Sequence, residues 1–254
     1  YKDNGYFYIT RFEEGKEYPI HARKKDNLEA PEEIMLNVNE LAKGHEYYAV
    51  GARSVSPDNK ILAYSEDTVS RRQYTLRFKD LVSGKNLEDV IPNTTGGVTW
   101  GNDNKTIFYS KQDAALRSYK IFRHTLGTPA KDDKLIFHEK DETFGTYIYK
   151  TKSKKYLVIT SGATLSNEYQ ILEADNPTGQ FRMFQPRERN LEFSIDHYAD
   201  NWYIHTNKDS AMNFKIMVTP VTATTKENWK DLMPYDKNIF IDGIDIFKDH
   251  MVIS

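Results

Sequence analysis

One short pattern returns along this chain at nearly constant intervals: a turn rich in Asp, Asn, Gly or Lys, then a short apolar run, then a Ser or Thr. It reads "DNGYFYIT" to Thr10, "PDNKILAYS" to Ser65, "NDNKTIFYS" to Ser110, "KSKKYLVIT" to Thr160, "ADNWYIHT" to Thr206 and "KDHMVIS" to Ser254. The successive intervals are 55, 45, 50, 46 and 48 residues. A beat of this length marks one supersecondary unit used over and over, and it leaves few architectures open.

The stretches between beats share an internal order. After "ILAYSED" come "QYTLRFKDLVSGK", a strand and hairpin, and "LEDVIP", a short outer strand. The following units run "VTWGN", "TIFYS", "YKIFRHTLG", "KLIFHE"; then "TYIYKTKS", "YLVITSG", "EYQILEAD", "FRMFQP"; then "FSIDHYAD", "WYIHTN", "FKIMVTPV", "WKDLMPY". Alternating apolar residues between turn clusters read as four short strands per unit. Four-stranded units at this spacing are the signature of a β-propeller. The fold class is therefore all-β, a propeller with about five blades' worth of sequence. Complete units span residues 51–92, 96–140, 143–186 and 191–235. A partial unit of about three strands precedes them in 1–50, and about two strands follow in 239–254.

This architecture explains the beat. A propeller blade's first strand lines the channel, so the chain must reverse at once, and Asp58-Asn59-Lys60 supplies residues that tolerate positive φ. The second strand is covered on both faces, so "ILAYS", "TIFYS" and "YLVIT" are near-continuous apolar runs. The best helix candidate is "EEIMLNVNELAKG", with partial helical spacing from Leu36 and Asn37 to Leu41, and even that reads equally as strand followed by loop.

Composition narrows function mostly by exclusion. Thirty-five basic and 37 acidic side chains leave a net charge of -2, so the overall field singles out neither nucleic acid nor an anionic membrane as a partner. With no cysteine there is no disulfide framework, CxxC pair or thiolate zinc site. That suits a cytoplasmic protein, with the periplasm as the alternative. The start "YKDNGYFYIT" has no initiator Met, basic start or apolar signal core, and is expected to be cut from something longer. No apolar run approaches the roughly 20 residues of a membrane helix.

Catalytic and metal motifs are missing as well. A hydrolase nucleophile elbow needs GxSxG; "GATLS" at Gly162–Ser166 has the wrong order, and "VSGKN" around Ser83 is a hairpin turn. Ser194, Asp196 and His197 in "FSIDHYAD" lie on one strand, where adjacent residues point to opposite faces and cannot converge as a triad. The histidines (His21, His45, His124, His138, His197, His205, His250) form no HxH or HExxH, so neither metal nor cofactor is expected. "KTKSKK" at Lys150–Lys155 reads as a solvated turn rather than a nucleic-acid patch. "EKDE" at Glu139–Glu142 reads as a connection between blades, able to hold a cation only by folding back.

Several segments carry a more specific likeness. "EDTVSRRQYTLRFKDLVSGK", "GTPAKDDKLIFHEKDETF", "KTKSKKYLVI", "EFSIDHYADNWYIHTNKDSAMNFKIM" and "WKDLMPYDKNIFIDGIDIFKDHMVIS" resemble, in order and over essentially the whole chain, the propeller of the oligopeptidase B (protease II) branch of the prolyl oligopeptidase family. The resemblance implies a bipartite serine peptidase in which a seven-bladed propeller caps an α/β-hydrolase domain bearing a Ser-Asp-His triad. It implies cleavage of short peptides after Lys or Arg, with the propeller excluding folded proteins. At ~48 residues per blade a seven-bladed ring takes roughly 340 residues, more than this chain holds. The catalytic domain and its residues then lie outside the chain, which is expected to be inactive by itself and to partner that C-terminal domain and short basic peptides.

Arg71 and Arg72 in "VSRRQY" are the functional-site candidates. They follow the second strand of their unit, hence lie at one rim, where guanidinium forks suit a peptide's C-terminal carboxylate or an acid of the hydrolase domain. An ordinary surface ion pair is the plainer alternative. A free-standing propeller serving as a binding scaffold is the other function class the repeat allows. Bare sheet faces at either end predict self-association of the fragment.

Overall fold

The computed structural model describes residues 1–254, with two compact units, Tyr1–Ile136 and Phe137–Ser254. The first unit is built on three four-stranded antiparallel meanders. The first sheet has β1 (Lys2–Asp3), β2 (Tyr6–Arg11), β3 (Ile20–Lys25) and β4 (Glu32–Asn37). The second has β5 (Ala49–Val55), β6 (Ile61–Asp67), β7 (Tyr74–Asp80) and β8 (Asn86–Thr94). The third has β9 (Val98–Trp100), β10 (Thr106–Gln112), β11 (Ser118–Thr125) and β12 (Lys134–His138), which runs just past the unit boundary.

The second unit holds two more such sheets. One comprises β13 (Gly145–Lys150), β14 (Tyr156–Ala163), β15 (Ser166–Glu173) and β16 (Arg182–Gln185), and the next β17 (Phe193–Tyr198), β18 (Asn201–Thr206), β19 (Lys215–Pro220) and β20 (Lys230–Met233). A hairpin of β21 (Ile244–Ile246) and β22 (Met251–Ile253) follows. Each sheet is a simple antiparallel meander in chain order, as expected of propeller blades.

The segment before residue 51 differs from the sequence reading. It contains four strands rather than about three, because the two-residue β1 pairs Lys2 with Phe7 and Asp3 with Tyr6 while offering no apolar pattern of its own. The helix candidate resolves into strand β4 and a single turn, α1 (Val38–Leu41), whose first N–H groups are capped by Asn37 through a 3.1 Å bond from Asn39 N.

The beat lies where the first two strands of each sheet reverse. All five first hairpins contain a residue at positive φ: Asn4 (46°) with Gly5 (82°), Asn59 (64°), Asn104 (61°), Lys154 (61°) and Ala199 (54°). Asn carries this conformation at the lowest cost after Gly, and it occupies three of the five. In the second sheet Ser56 Oγ donates to Asp58 Oδ1 at 2.6 Å and accepts from Ile61 N at 3.0 Å, which closes the turn. These hairpins are also tied to one another within the first unit. Asn4 Nδ2 donates to Pro57 O at 2.7 Å, Asn59 Nδ2 to Asn4 O at 3.3 Å, and Asp58 N to Asn104 Oδ1 at 2.8 Å.

Second strands are the most deeply buried, as their composition demands. Leu62, Ala63, Tyr64 and Ser65 of β6, Thr106 to Ser110 of β10 and Tyr156 to Ile159 of β14 are all buried. The first and second sheets pack through Met35 and Leu36 against Leu62 and Tyr64. The second and third pack through Phe78 and Ile91 against Trp100, Ile107 and Tyr109. In the second unit Trp202, fully buried, fills the seam between its two four-stranded sheets, with Tyr156 at 4.9 Å and Phe184 edge-on at 5.2 Å between ring centroids. Its indole N–H has no hydrogen-bond partner.

Candidate functional site

In a meander, the loops between second and third strands lie at the end opposite the first hairpins. In the second sheet this loop, residues 68–73, carries Arg71 and Arg72. Its anchor is Asp67, the last residue of β6 and itself buried, whose carboxylate accepts from the backbone N–H of Val69 (2.9 Å), Arg71 (3.0 Å) and Arg72 (2.8 Å). A short carboxylate ending a strand can gather the amides of the turn that follows, and the third sheet repeats the device. There Asp113 accepts from Ala115 N and Arg117 N, each at 3.0 Å.

The loop adopts an unusual backbone, with Ser70 at φ 57° and Arg72 at φ 54°. Such conformations persist only where surroundings hold them. Two contacts do so besides Asp67. Gln112 Nε2, from the third sheet, donates to Arg72 O at 2.6 Å. On the other side, the ring of Tyr74 is inserted between Gly51 and Gly96. Beneath the loop, Glu66 accepts from Tyr48 OH at 2.5 Å and pairs with Arg77, which fixes the end of β6.

Both arginine side chains are exposed, and neither guanidinium is in an ion pair; Arg71 Nη1 makes one 3.3 Å bond to the adjacent Ser70 O. The plainer expectation, a surface ion pair, is therefore not what the structure contains. Two unpaired guanidiniums on a braced loop can accept a carboxylate with its fork geometry.

The remaining sequence candidates disperse. Ser194 is exposed, Asp196 accepts from the backbone N–H of His197 at 2.8 Å, and the His197 ring turns to the opposite, buried face to meet Ser153 Oγ at 2.8 Å. Burial, with Lys155 nearby, lowers the His197 pKa. Ser194 and His197 do not meet. In "KTKSKK", Lys152 pairs with Asp245 and lies over the Phe247 ring. In "EKDE", Glu139 is not an open loop acid. It is buried and bonded to Arg187 at 2.5 Å, while Arg187 Nε also reaches Glu168 at 2.9 Å and its guanidinium covers the Phe144 ring at 3.9 Å. Burial works to raise the Glu139 carboxyl, but bonds from Arg187 and the Asp141 amide prevail and hold it below the ordinary carboxylate range.

His21, passed over in the sequence as a scattered histidine, is buried on β3 between Thr10 Oγ1 (3.1 Å) and Arg53 Nη1 (3.1 Å). Burial, and then the Arg53 charge, push its pKa down to about 4. A separate groove of about 750 Å³ lies in the second unit, lined among others by Arg189, Lys208, Asp209, Lys226 and Trp229. Its lysines are neutralised locally, Lys208 by Asp209 and Lys226 by Glu188.

Sequence reading missed Tyr74, although a signal exists. An aromatic opens or immediately precedes the third strand in two sheets: Tyr74 opens β7, and Phe214 stands just before β19.

Residues 1–254 match the family described as prolyl oligopeptidase, N-terminal β-propeller domain. Dipeptidyl aminopeptidase BI of Pseudoxanthomonas mexicana is 38% identical, the alignment covering 100% of this chain and 37% of the relative. Protease 2 of Moraxella lacunata is 30% identical, covering 98% and 37%. Among solved structures, oligopeptidase B from Leishmania major superposes with a TM-score of 0.93 at 26% identity, over 100% of this chain and 36% of that one. The chain thus spans little more than a third of the relatives it matches.

Proposed function

The chain belongs to the prolyl oligopeptidase family as its N-terminal β-propeller domain, and we propose that it is the noncatalytic, substrate-gating part of a serine oligopeptidase that cleaves short peptides after Lys or Arg. The observation that carries this reading is the family match over residues 1–254 in a chain only 37% as long as Protease 2. The remaining length in such relatives accommodates a C-terminal hydrolase domain, which in this reading supplies the nucleophile and the residues that read the basic side chain. Closure of one domain on the other assembles the site and limits what enters. The compartment consistent with a cysteine-free chain is the cytoplasm.

Within this reading Arg71 and Arg72 hold a carboxylate at the rim, either the C-terminus of a peptide or an acid of the hydrolase domain. In the full-length polypeptide, Arg71→Ala/Arg72→Ala should raise KM for short peptides. A rise confined to peptides with a free C-terminal carboxylate identifies the substrate as the partner; a rise for amidated peptides too identifies the domain contact. Unchanged kinetics on both would remove the role. Size selection is tested on the unmodified enzyme with one Lys-containing cleavage sequence presented in a short peptide and in a folded protein. Equal cleavage of the two refutes gating.

A second reading is favoured by the relative named dipeptidyl aminopeptidase BI, at 38% identity. Release of dipeptides from a free amino terminus would be abolished by N-terminal acetylation of the peptide, whereas internal cleavage after Lys or Arg would continue. A free-standing scaffold is the alternative that a stop codon soon after Ser254 would favour. Self-association of the isolated chain through uncovered sheet faces is part of the proposal.

A further inference from the structure

Tyr74 stands two residues beyond Arg72, at the first position of β7, opposite Thr94 in the sheet register. Its ring is enclosed by backbone on two sides. A Cβ on Gly51 would overlap Ser65 Oγ and lie 2.8 Å from Tyr74 Cε1, and a Cβ on Gly96 would lie 2.9 Å from Tyr74 Cγ and Cδ2. No side chain fits at either position with the ring in place. Gly96 has a second requirement, a φ of +92°. The slot is closed by hydrogen bonds: Thr94 Oγ1 donates to Tyr74 O at 3.1 Å and accepts from Gly96 N at 3.1 Å.

This arrangement is particular to the sheet that carries the arginines. At Gly145 the nearest ring, Tyr147, would stay 3.6 Å from a Cβ, and Gly162 and Gly243 have no ring within 4 Å. The repeat alone therefore does not demand the slot. We infer that Gly51, Tyr74 and Gly96 form a positioning device for the Arg71–Arg72 loop, with Tyr74 as a positioning residue that holds the two guanidiniums in the pose required to receive a carboxylate. The inference rests on the proposed role of the two arginines. The loop leaves β6 on the Asp67 carboxylate and re-enters the sheet at Tyr74, so both of its ends are fixed. With Arg72 at φ 54°, a loose second end would let the backbone relax and redirect both side chains.

The phenol oxygen has no part in this, which separates ring from hydroxyl. In the full-length polypeptide, Tyr74→Phe should keep wild-type KM for free-acid peptides. Tyr74→Leu, which leaves the slot half filled, should raise KM as far as Arg71→Ala/Arg72→Ala does, roughly tenfold for the loss of a charge-assisted contact, with kcat unchanged. If the arginine pair raises KM and Tyr74→Leu does not, the positioning role is overturned and the role of the arginines stands. If the arginine pair has no effect, the reading beneath it falls, and the positioning role with it. Hydrogen exchange gives a measurement independent of catalysis. The Arg71 and Arg72 amides, held by Asp67, should exchange faster in Tyr74→Leu and as in wild type in Tyr74→Phe; protection retained in Tyr74→Leu refutes the device.

Discussion

Protonation of His21 should weaken the first unit in a way that a single substitution can isolate. Arg53 Nη1 points at His21 Nε2, so that nitrogen must present a lone pair and the proton must sit on Nδ1, toward Thr10 Oγ1. Adding a second proton would set N–H against a guanidinium N–H in a buried site. Hence the folded-state pKa is about 4, below the ordinary 6.5, and the unfolded chain takes up a proton at a pH where the folded chain does not. Stability from this source is complete above about 6.5, falls as pH drops, and is gone once pH passes below about 4. A gap of that size corresponds to at most about 3 kcal/mol. Arg53 is exposed and its charge partly screened, so about 2 kcal/mol is expected. His21→Gln keeps an acceptor for Arg53 without titrating. Urea denaturation of the 254-residue chain from pH 7.5 to 4 should show wild type losing about 2 kcal/mol more than the variant. The His21 ring C–H resonances should titrate with a midpoint near 4. A wild-type-minus-variant difference that stays flat with pH, or an NMR midpoint near 6.5, refutes the reasoning.

Two further outcomes are expected. Trp202→Ala removes the fully buried side chain at the centre of the second unit's core and should cost about 3–5 kcal/mol, read as a fall in the urea midpoint; a change under 1 kcal/mol would mean the seam is not packed as described. Arg187→Met strands the buried Glu139 and Glu168 carboxylates and should cost about 3 kcal/mol near neutrality, toward the low end for a buried pair because Arg187 keeps 28% of its side chain exposed. That cost should shrink as pH falls and the carboxyls protonate. A cost that persists unchanged at low pH would assign the effect to lost packing on Phe144.

Much of the fold is legible because it is written locally. The beat is a turn residue followed by a run buried on both faces, and Asn59, Asn104 and the runs after them announce both without reference to anything distant. What stays hidden involves pairing at long range or no pattern at all. β1 is two residues of Lys and Asp, recruited only by β2. Arg187 joins residues 139 and 168 across a sheet, so "EKDE" reads as a solvated loop until its partner is seen. Arg71 and Arg72 could be placed in the right loop from the position of β6, but their lack of partners could not be read. The slot around Tyr74 requires Gly51 and Gly96 together, positions 45 residues apart, nearly one full beat.

The bonds between first hairpins have a bearing on how such a chain can change length. Asn4 to Pro57 and Asp58 to Asn104 join corresponding places in successive repeats, and one partner in each is a main-chain group that any side chain leaves in place. The side chain comes from the earlier repeat in the first bond and from the later repeat in the second. Deleting or duplicating one whole beat would keep a first hairpin beside a first hairpin, whereas a gain or loss of half a beat would bring a second-to-third-strand loop to the junction and take these partners from the asparagines. Lengthening in whole periods is thus the inexpensive direction of change for this architecture, and partial periods are the costly one.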